Sequence, residues 1–395
     1  MRDLLTAWAN INSGSYNPEG LERMLEALKV GFGRLPGQLR VVTFDAGPSG
    51  PDGTGVRLAP RHALRMRCRQ EASTRVLLCG HYDTVFGPDH PFQTCQLTDA
   101  QTLCGPGVID MKGGLVVMLA ALQAFEALPE AKQLGWEVLI SPDEEIGSNA
   151  SRPLLEEAAE RYAFGLVFEP AFGNDIIRSR KGTGEFTVTA IGRAAHAGRD
   201  PGNGRNAIVA LAKFIEEANA LNRQLEGVLI NVGHVSGGGP INIVPDYARA
   251  GIDVRITTRP DSRRVVQLLE YLASTLTSEG IRVEVAGEFD RMPMESTPAS
   301  EALFSTLQTC AGELGLNVDW RHSGGGSDGN ILAAAGLPVL DGLGPRGNGL
   351  HTEGEHVILP SLVERAQLIA LFLQRAAMVR MKAPVISRAS SRSPF

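Results

Sequence analysis

The chain reads as an α/β protein, a mostly parallel sheet flanked by helices, with a smaller α+β domain inserted into it. Three observations in its 395 residues carry that reading. Short apolar runs alternate with helical sequence through the first half, the rhythm of strands joined by crossover helices. Near Arg178 the character changes: period-two alternation takes over and elements follow in the order β-α-β-β-α-β. After Arg291 apolar helices and polar loops of the earlier kind resume. The expected boundaries are a first segment at 1–179, an inserted domain at 180–290, a second segment of the first domain at 291–382, and a disordered polar tail at 383–395.

Taken in order, residues 20–35 (GLERMLEALKVGFGRL) space their apolar side chains as a helix does. Residues 75–80 (RVLLCG) form a buried strand. Residues 113–128 (GGLVVMLAALQAFEAL) form a helix opened by glycines and ended before Pro129. Residues 136–141 and 165–169 are short apolar strands with helical sequence between them. In the insertion, 184–192 (GEFTVTAIG) alternates as a half-exposed strand should. Helices at 205–221 and 262–279 and strands at 227–235, 248–257 and 281–287 complete a small antiparallel sheet with two helices on one face.

A hydrophobic content of 43% and a charged content of 21% are those of a globular protein, and the length favours two domains. The formal net charge of −6 provides no broad basic face, so nucleic acid is not expected as a partner; a small basic pocket for an anionic substrate remains compatible. The first residues, MRDLLTAWANINSGS, lack the apolar core of a secretory signal. No stretch nears the roughly 18 apolar residues of a membrane span. The five cysteines, with no CxxC pair, read as free thiols of a cytoplasmic protein. Cys95 and Cys104 flank QLTDAQTL, which reads as a hairpin and not as half of a metal knuckle.

Chemistry concentrates where apolar runs end. VLLCGHYDT, LCGPGVIDMKGG, WEVLISPDEEIGS, GLVFEPA and LGPRGNGLHTEGEH bring His81, Asp83, Asp110, Glu144, Glu145, Glu169 and His351 to such endings. Singly, each has an ordinary reading: His81 as a satisfied surface or core residue, Asp110 as a helix cap, Glu144 and Glu145 as caps of a following helix, Glu169 as a loop acid. Together they fall on one edge of a sheet, where α/β proteins build sites. Two imidazoles and several carboxylates suit one or two borderline cations such as zinc. Asp83, two residues beyond His81 on extended chain, points the same way and can orient the imidazole. Glu144 and Glu145 are neighbours whose side chains diverge, so one can bind metal while the other serves as a general base.

In this order the motifs GHYDTVF, GPGVIDMKGG, SPDEEIGS, FEPA and LHTEGEH resemble the five metal-site motifs of the M20 metallopeptidases, over about residues 10–375. That family includes glutamate carboxypeptidase, acetylornithine deacetylase, succinyl-diaminopimelate desuccinylase and aminoacylase. SGGGSDGN and LGPRGNGLHTEGEHV lie nearest the glutamate carboxypeptidase branch. The resemblance implies a zinc exopeptidase-like catalytic domain with a ferredoxin-like lid and dimerisation domain. It implies two Zn2+ per chain, with Co2+ or Mn2+ as substitutes. Asp110 would bridge them, His81 and Glu169 completing one shell and Glu145 and His351 the other. Glu144 would be the general base, and the Asp110–Met111 peptide would be cis.

GRAAHAG places His196 at the family's lid histidine, which steadies the oxyanion in the partner subunit's site. INIVPD places Asn242 near substrate, and GIDVRI places Arg255 where a guanidinium fork holds the substrate carboxylate. Lys181, Arg291 and Gly325 are further substrate-binding candidates; His234 reads as structural. The implied activity is carboxypeptidase-like hydrolysis of a peptide or N-acyl amino acid with a free carboxylate, by a cytoplasmic homodimer. A deacylase such as an acetylornithine deacetylase is the alternative within enzymes. A non-catalytic metal-binding protein is the alternative outside them, and retention of Glu144 weighs against it. The run GNGRNA at 202–207 satisfies a dinucleotide pattern, but a loop and not a strand precedes it. The glycines of GGGSD at 324–328 lack the lysine of a phosphate loop and read as a tight turn near substrate.

Overall fold

The computed structural model describes residues 1–44 and 60–379. The polar tail expected at 383–395 lies outside the described residues. The chain divides into two compact units, one of residues 1–179, 296–322 and 327 onward, the other of residues 180–295 and 323–326.

The larger unit is built on a six-stranded sheet. Its strands are β1 (Gln38–Phe44), β2 (Arg61–Cys68), β3 (Thr74–His81), β4 (Leu134–Ser141), β5 (Phe164–Val167) and the short Val339–Leu340, in the order β1-β2-β4-β3-β5 and then the short strand. Pairings of β3 with β4, β3 with β5, and β5 with Val339–Leu340 are parallel. Only the β1 edge is antiparallel, through β1 with β2 and β2 with β4. Every residue of β4 is buried, and β3 is nearly so, because helices cover both faces and no alternation survives. The helices Lys112–Glu126 and Leu359–Val379 pack on each other and share this core. The first is apolar almost all round, with Leu115, Val116, Val117, Met118 and Leu119 all buried, as befits a helix enclosed by protein.

Parallel pairing aligns the strand ends. His81 at the end of β3 stands opposite Ser141 at the end of β4, and Cys79 stands opposite Val167 at the end of β5. The segments that follow β3, β4 and β5 therefore leave the sheet side by side, carrying Asp83, Glu144 with Glu145, and Glu169.

In the smaller unit β6 (Gly182–Ile191), β7 (Leu229–Gly237), β8 (Tyr247–Ile256) and β9 (Arg282–Arg291) form an antiparallel sheet in the order β7-β8-β6-β9. Helices Ala207–Leu221 and Arg259–Leu276 complete the β-α-β-β-α-β order and share its core with Phe186, Val188 and Ala190. The unit runs past Arg291 because Arg180 and Met294 exchange main-chain hydrogen bonds of 3.0 and 3.1 Å. Ser323–Gly326 joins it through a hydrogen bond of 3.1 Å from Lys181 N to Ser323 O. Among the described residues no helix is long and apolar enough to cross a membrane.

Candidate metal centre

Six ligand positions converge beside the ends of β3, β4 and β5. His81, Asp110 and Glu169 form one group and Asp110, Glu145 and His351 another, each with its ligand atoms within 4.8 Å of one another. Asp110 belongs to both and divides its oxygens between them. Its Oδ1 lies 3.3 Å from His81 Nε2, and its Oδ2 lies 3.2 Å from His351 Nε2. Glu169 Oε1 is 3.6 Å from His81 Nε2, and Glu145 Oε2 is 3.2 Å from His351 Nε2.

Local structure explains each placement. His81 is buried, and its Nδ1 faces the main-chain oxygen of Asp83 at 3.1 Å and Oδ1 of Asp83 at 3.3 Å, which turns Nε2 toward the carboxylates. Asp83 also accepts hydrogen bonds from Glu144 N (3.1 Å), Glu145 N (3.2 Å) and Ser15 Oγ (2.7 Å), so one buried carboxylate fixes both the imidazole and the Glu144–Glu145 turn. Asp110 precedes the helix Lys112–Glu126, and Met111, not Asp110, is the capping residue. The Asp110–Met111 peptide is cis. Gly114 lets this helix lie on the segment that carries Glu169, since a Cβ there would come within 2.0 Å of Phe168 O. His351 takes a left-handed backbone, φ 61°, uncommon for a residue with a side chain and found where a site imposes it.

The donor set fits cations. Three carboxylates crowd two imidazoles. Burial pushes the Glu145 carboxyl up to about 8, with the Asp110 charge adding to the rise. Hydrogen bonding to Asp110 and then Glu145 raises His351 to about 10. Burial lowers the proton affinity of His81, but Asp110, Asp83 and Glu169 outweigh it and raise the group well above its ordinary value. The crowded negative charge thus draws positive charge onto the imidazoles. His81 Nε2 and Glu145 Oε1 are nevertheless buried without a hydrogen bond of good geometry. Both facts describe a cage for cations. Glu144, buried at the start of the short turn Glu144–Ile146, belongs to neither ligand group.

Residues 77–375 match the model of peptidase family M20/M25/M40. The chain belongs to this family. It is accordingly an M20-type metallopeptidase or amidohydrolase, and its chemistry is metal-dependent amide hydrolysis. Carboxypeptidase G2 of Pseudomonas sp. (strain RS-16) is 28% identical over 300 residues, covering 75% of this chain and 72% of that protein. A succinyl-diaminopimelate desuccinylase of Ectopseudomonas mendocina is 27% identical over 309 residues, 72% of this chain and 79% of its own. The fold is that of the aminopeptidase PepT of Bacillus cereus, with a TM-score of 0.76 at 20% identity, covering 95% of this chain and 98% of that one. It is also that of the YXEP protein of Bacillus subtilis, a dinuclear metal-binding M20 peptidase, with a TM-score of 0.66 at 13% identity over 96% and 99% of the two chains.

The remaining candidates of this M20 chain lie in its smaller unit. His196 and Asn242 come together there, through the pairing of His196 with Ile243 and a hydrogen bond of 2.9 Å from Ala197 N to Asn242 O. Arg255 and Arg291 both stand opposite Thr183, one on β8 and one on β9, so they flank the same point of β6. Arg255 Nε is engaged by Asp253 Oδ2 at 3.0 Å. Arg180, which the sequence did not single out, is buried and donates from Nη1 to Gly325 O at 3.2 Å, beside Lys181. His234 is on β7 and belongs to neither ligand group.

Other buried groups were not foreseen. Asp328 accepts from Ser141 Oγ at 2.7 Å and Ser148 Oγ at 2.5 Å, bracketing the Glu144–Glu145 turn. Lys112 is buried and donates to Ile11 O at 2.7 Å. Glu355 is buried against the Asp110 segment. Only membership in the quoted motifs marked these residues, and nothing in those motifs names their partners.

Proposed function

We propose that this chain acts as a carboxypeptidase, hydrolysing the amide bond that joins a C-terminal residue with a free carboxylate to a peptide or N-acyl group, with two zinc ions in the two ligand groups. The observation that carries the reading is the division of labour at the adjacent acids: Glu145 joins a ligand group and Glu144 does not. When bound, such a pair of ions polarises the amide carbonyl and acidifies water. His81 and Glu169 would hold one ion and Glu145 and His351 the other, with Asp110 available to both. Glu144 takes a proton from the attacking water and returns it to the nitrogen of the departing amine. Asp83 keeps His81 oriented and the Glu144 turn in place.

In the same reading His196 steadies the developing oxyanion, and Asn242, Lys181, Arg291 and the Gly325 turn help bind substrate. Arg255 holds its carboxylate. The smaller unit acts as lid and dimerisation domain. Its edge strand β7 carries exposed Leu229 and Val235, features that favour pairing with a second copy. The five free cysteines favour the cytoplasm.

N-acyl amino acid deacylation is the second reading, favoured by the desuccinylases among the relatives. A hydrolysis screen over dipeptides and N-acyl amino acids, with metal analysis of the same sample, tests both. Preference for peptides over acyl amino acids supports the first, and the reverse order supports the second. No hydrolysis of either class by protein carrying two metals would refute both.

A further inference from the structure

Glu355 is buried four residues after His351, and its carboxylate gathers the main chain that leads into Asp110. Oε1 accepts from Ile109 N at 2.9 Å and Asp110 N at 3.1 Å, and Oε2 accepts from Gly107 N at 3.0 Å. Glu355 O also accepts from Gly105 N at 3.1 Å. Gly107 takes φ +69°, and that left-handed turn aims its N–H to the same side as those of Ile109 and Asp110, forming a nest for an anion. No water or solvent ion is needed to fill the nest, because the chain supplies the carboxylate itself.

We propose that Glu355 is a positioning residue of the metal centre, fixing the 107–110 backbone so that Asp110 Oδ2 and His351 Nε2 meet at one cation. The assignment rests on the reading of Asp110, Glu145 and His351 as metal ligands. Its physical basis is that one short segment, 351–355, supplies both a ligand and the clamp on the other ligand's backbone. Movement of either loop alone would break the three hydrogen bonds. The two ligand atoms, 3.2 Å apart, are thereby held from both sides.

The test uses the full chain, stripped of metal and titrated with Zn2+ against a chromophoric chelator, as wild type, Glu355→Gln and Glu355→Ala. The amide keeps one acceptor oxygen and cannot serve both the Gly107 and the Ile109–Asp110 sides. Loss of such a supporting contact weakens a metal site roughly 10- to 100-fold. The expected result is a graded loss at one of the two zinc sites, about tenfold for Gln and about a hundredfold for Ala, with the other site changed less. A merely structural role would lower the melting temperature of the metal-free protein and leave both zinc affinities alone. Two zinc ions bound with wild-type affinity by the variants overturn the assignment. Should Glu355→Ala fail to fold, Glu355→Gln decides by the same criterion. A wild type that itself binds fewer than two zinc ions overturns the metal-centre reading and this assignment together. Unchanged variants of a wild type that binds two overturn the assignment alone.

Discussion

Asp83 offers the sharpest test of how the centre is held, because a single carboxylate with no exposure serves four groups. Asp83→Asn keeps one oxygen. Placed at the Oδ1 position, that oxygen retains Glu144 N and still faces His81. The amide nitrogen then faces the Ser15 hydroxyl, which can turn and accept, and the Glu145 N–H, which cannot. One buried donor is left unsatisfied, at a cost of about 1–3 kcal/mol. At about 2–4 °C per kcal/mol for a large domain, the metal-free protein should melt roughly 2–12 °C lower. The lost charge should also weaken His81 as a ligand, and zinc affinity at its site should fall roughly 10- to 100-fold. Asp83→Ala strands the Glu144 and Glu145 N–H groups, about 2–6 kcal/mol, against a total stability of about 5–15 kcal/mol, so that variant should accumulate poorly. The assay is chelator competition for zinc beside thermal melting of the stripped protein. An Asp83→Asn protein with wild-type melting temperature and both zinc affinities intact would refute the reasoning.

Glu144→Gln should keep both metals and the fold while losing about 10²–10⁴-fold in kcat; turnover near wild type would remove Glu144 from the role of base. Chelation should abolish hydrolysis, and Zn2+ should restore it with an end point of two ions per chain; saturation at one ion would contradict the paired groups. Arg255→Lys should lose about 2–5 kcal/mol of transition-state binding for free-acid substrates, because a point charge cannot reproduce the guanidinium fork. The same variant should be far less impaired on amidated substrates; equal loss on both would refute carboxylate recognition, and little change on either would assign Arg255 to its surface pair with Asp253. Asp328→Ala should lower kcat by releasing Ser141 and Ser148 around the Glu144 turn, and unchanged kcat in a folded variant would show the bracket to be dispensable.

What could be read from the sequence was what breaks a local rule. His81 ends β3, Glu145 and Glu169 follow β4 and β5, Asp110 stands just before the helix Lys112–Glu126 and His351 sits in a loop, and all five meet in the ligand groups. The inserted sheet was legible because Phe186, Val188 and Ala190 alternate with exposed or half-exposed neighbours. The antiparallel edge was not. Arg65 and Arg67 of β2 turn to the buried Glu137 on β4, and Arg40 of β1 stands opposite Arg65, so one face of this edge carries charge where an apolar run would mark a buried strand. The partners of Asp83, Asp328 and Glu355 were equally hidden. Ser141 and Asp328 are 187 residues apart and Ile109 and Glu355 are 246 apart, so no local pattern couples them.

Those hidden acids share one design. Asp83 and Asp143 each cap main-chain N–H groups around the Glu144–Glu145 turn, Asp143 through Ala150 N at 2.8 Å. Asp328 brackets the same turn through two serines, and Glu355 caps the Asp110 segment. All four carboxylates are buried, and none is in a ligand group. Burying acids beside three ligand carboxylates is electrostatically costly, so their retention calls for a compensating gain. Hydrogen bonds from the backbone supply part of it, because each acid accepts N–H or O–H groups that would otherwise be unsatisfied. The added negative potential supplies the rest once cations are held, since it favours their binding. Neutralising one of these acids should therefore act twice, loosening a loop and weakening the field. The double variant neutralising Asp83 and Glu355 should bind zinc more weakly than either single variant in chelator competition, and a double variant no weaker than the worse single one would refute the shared design.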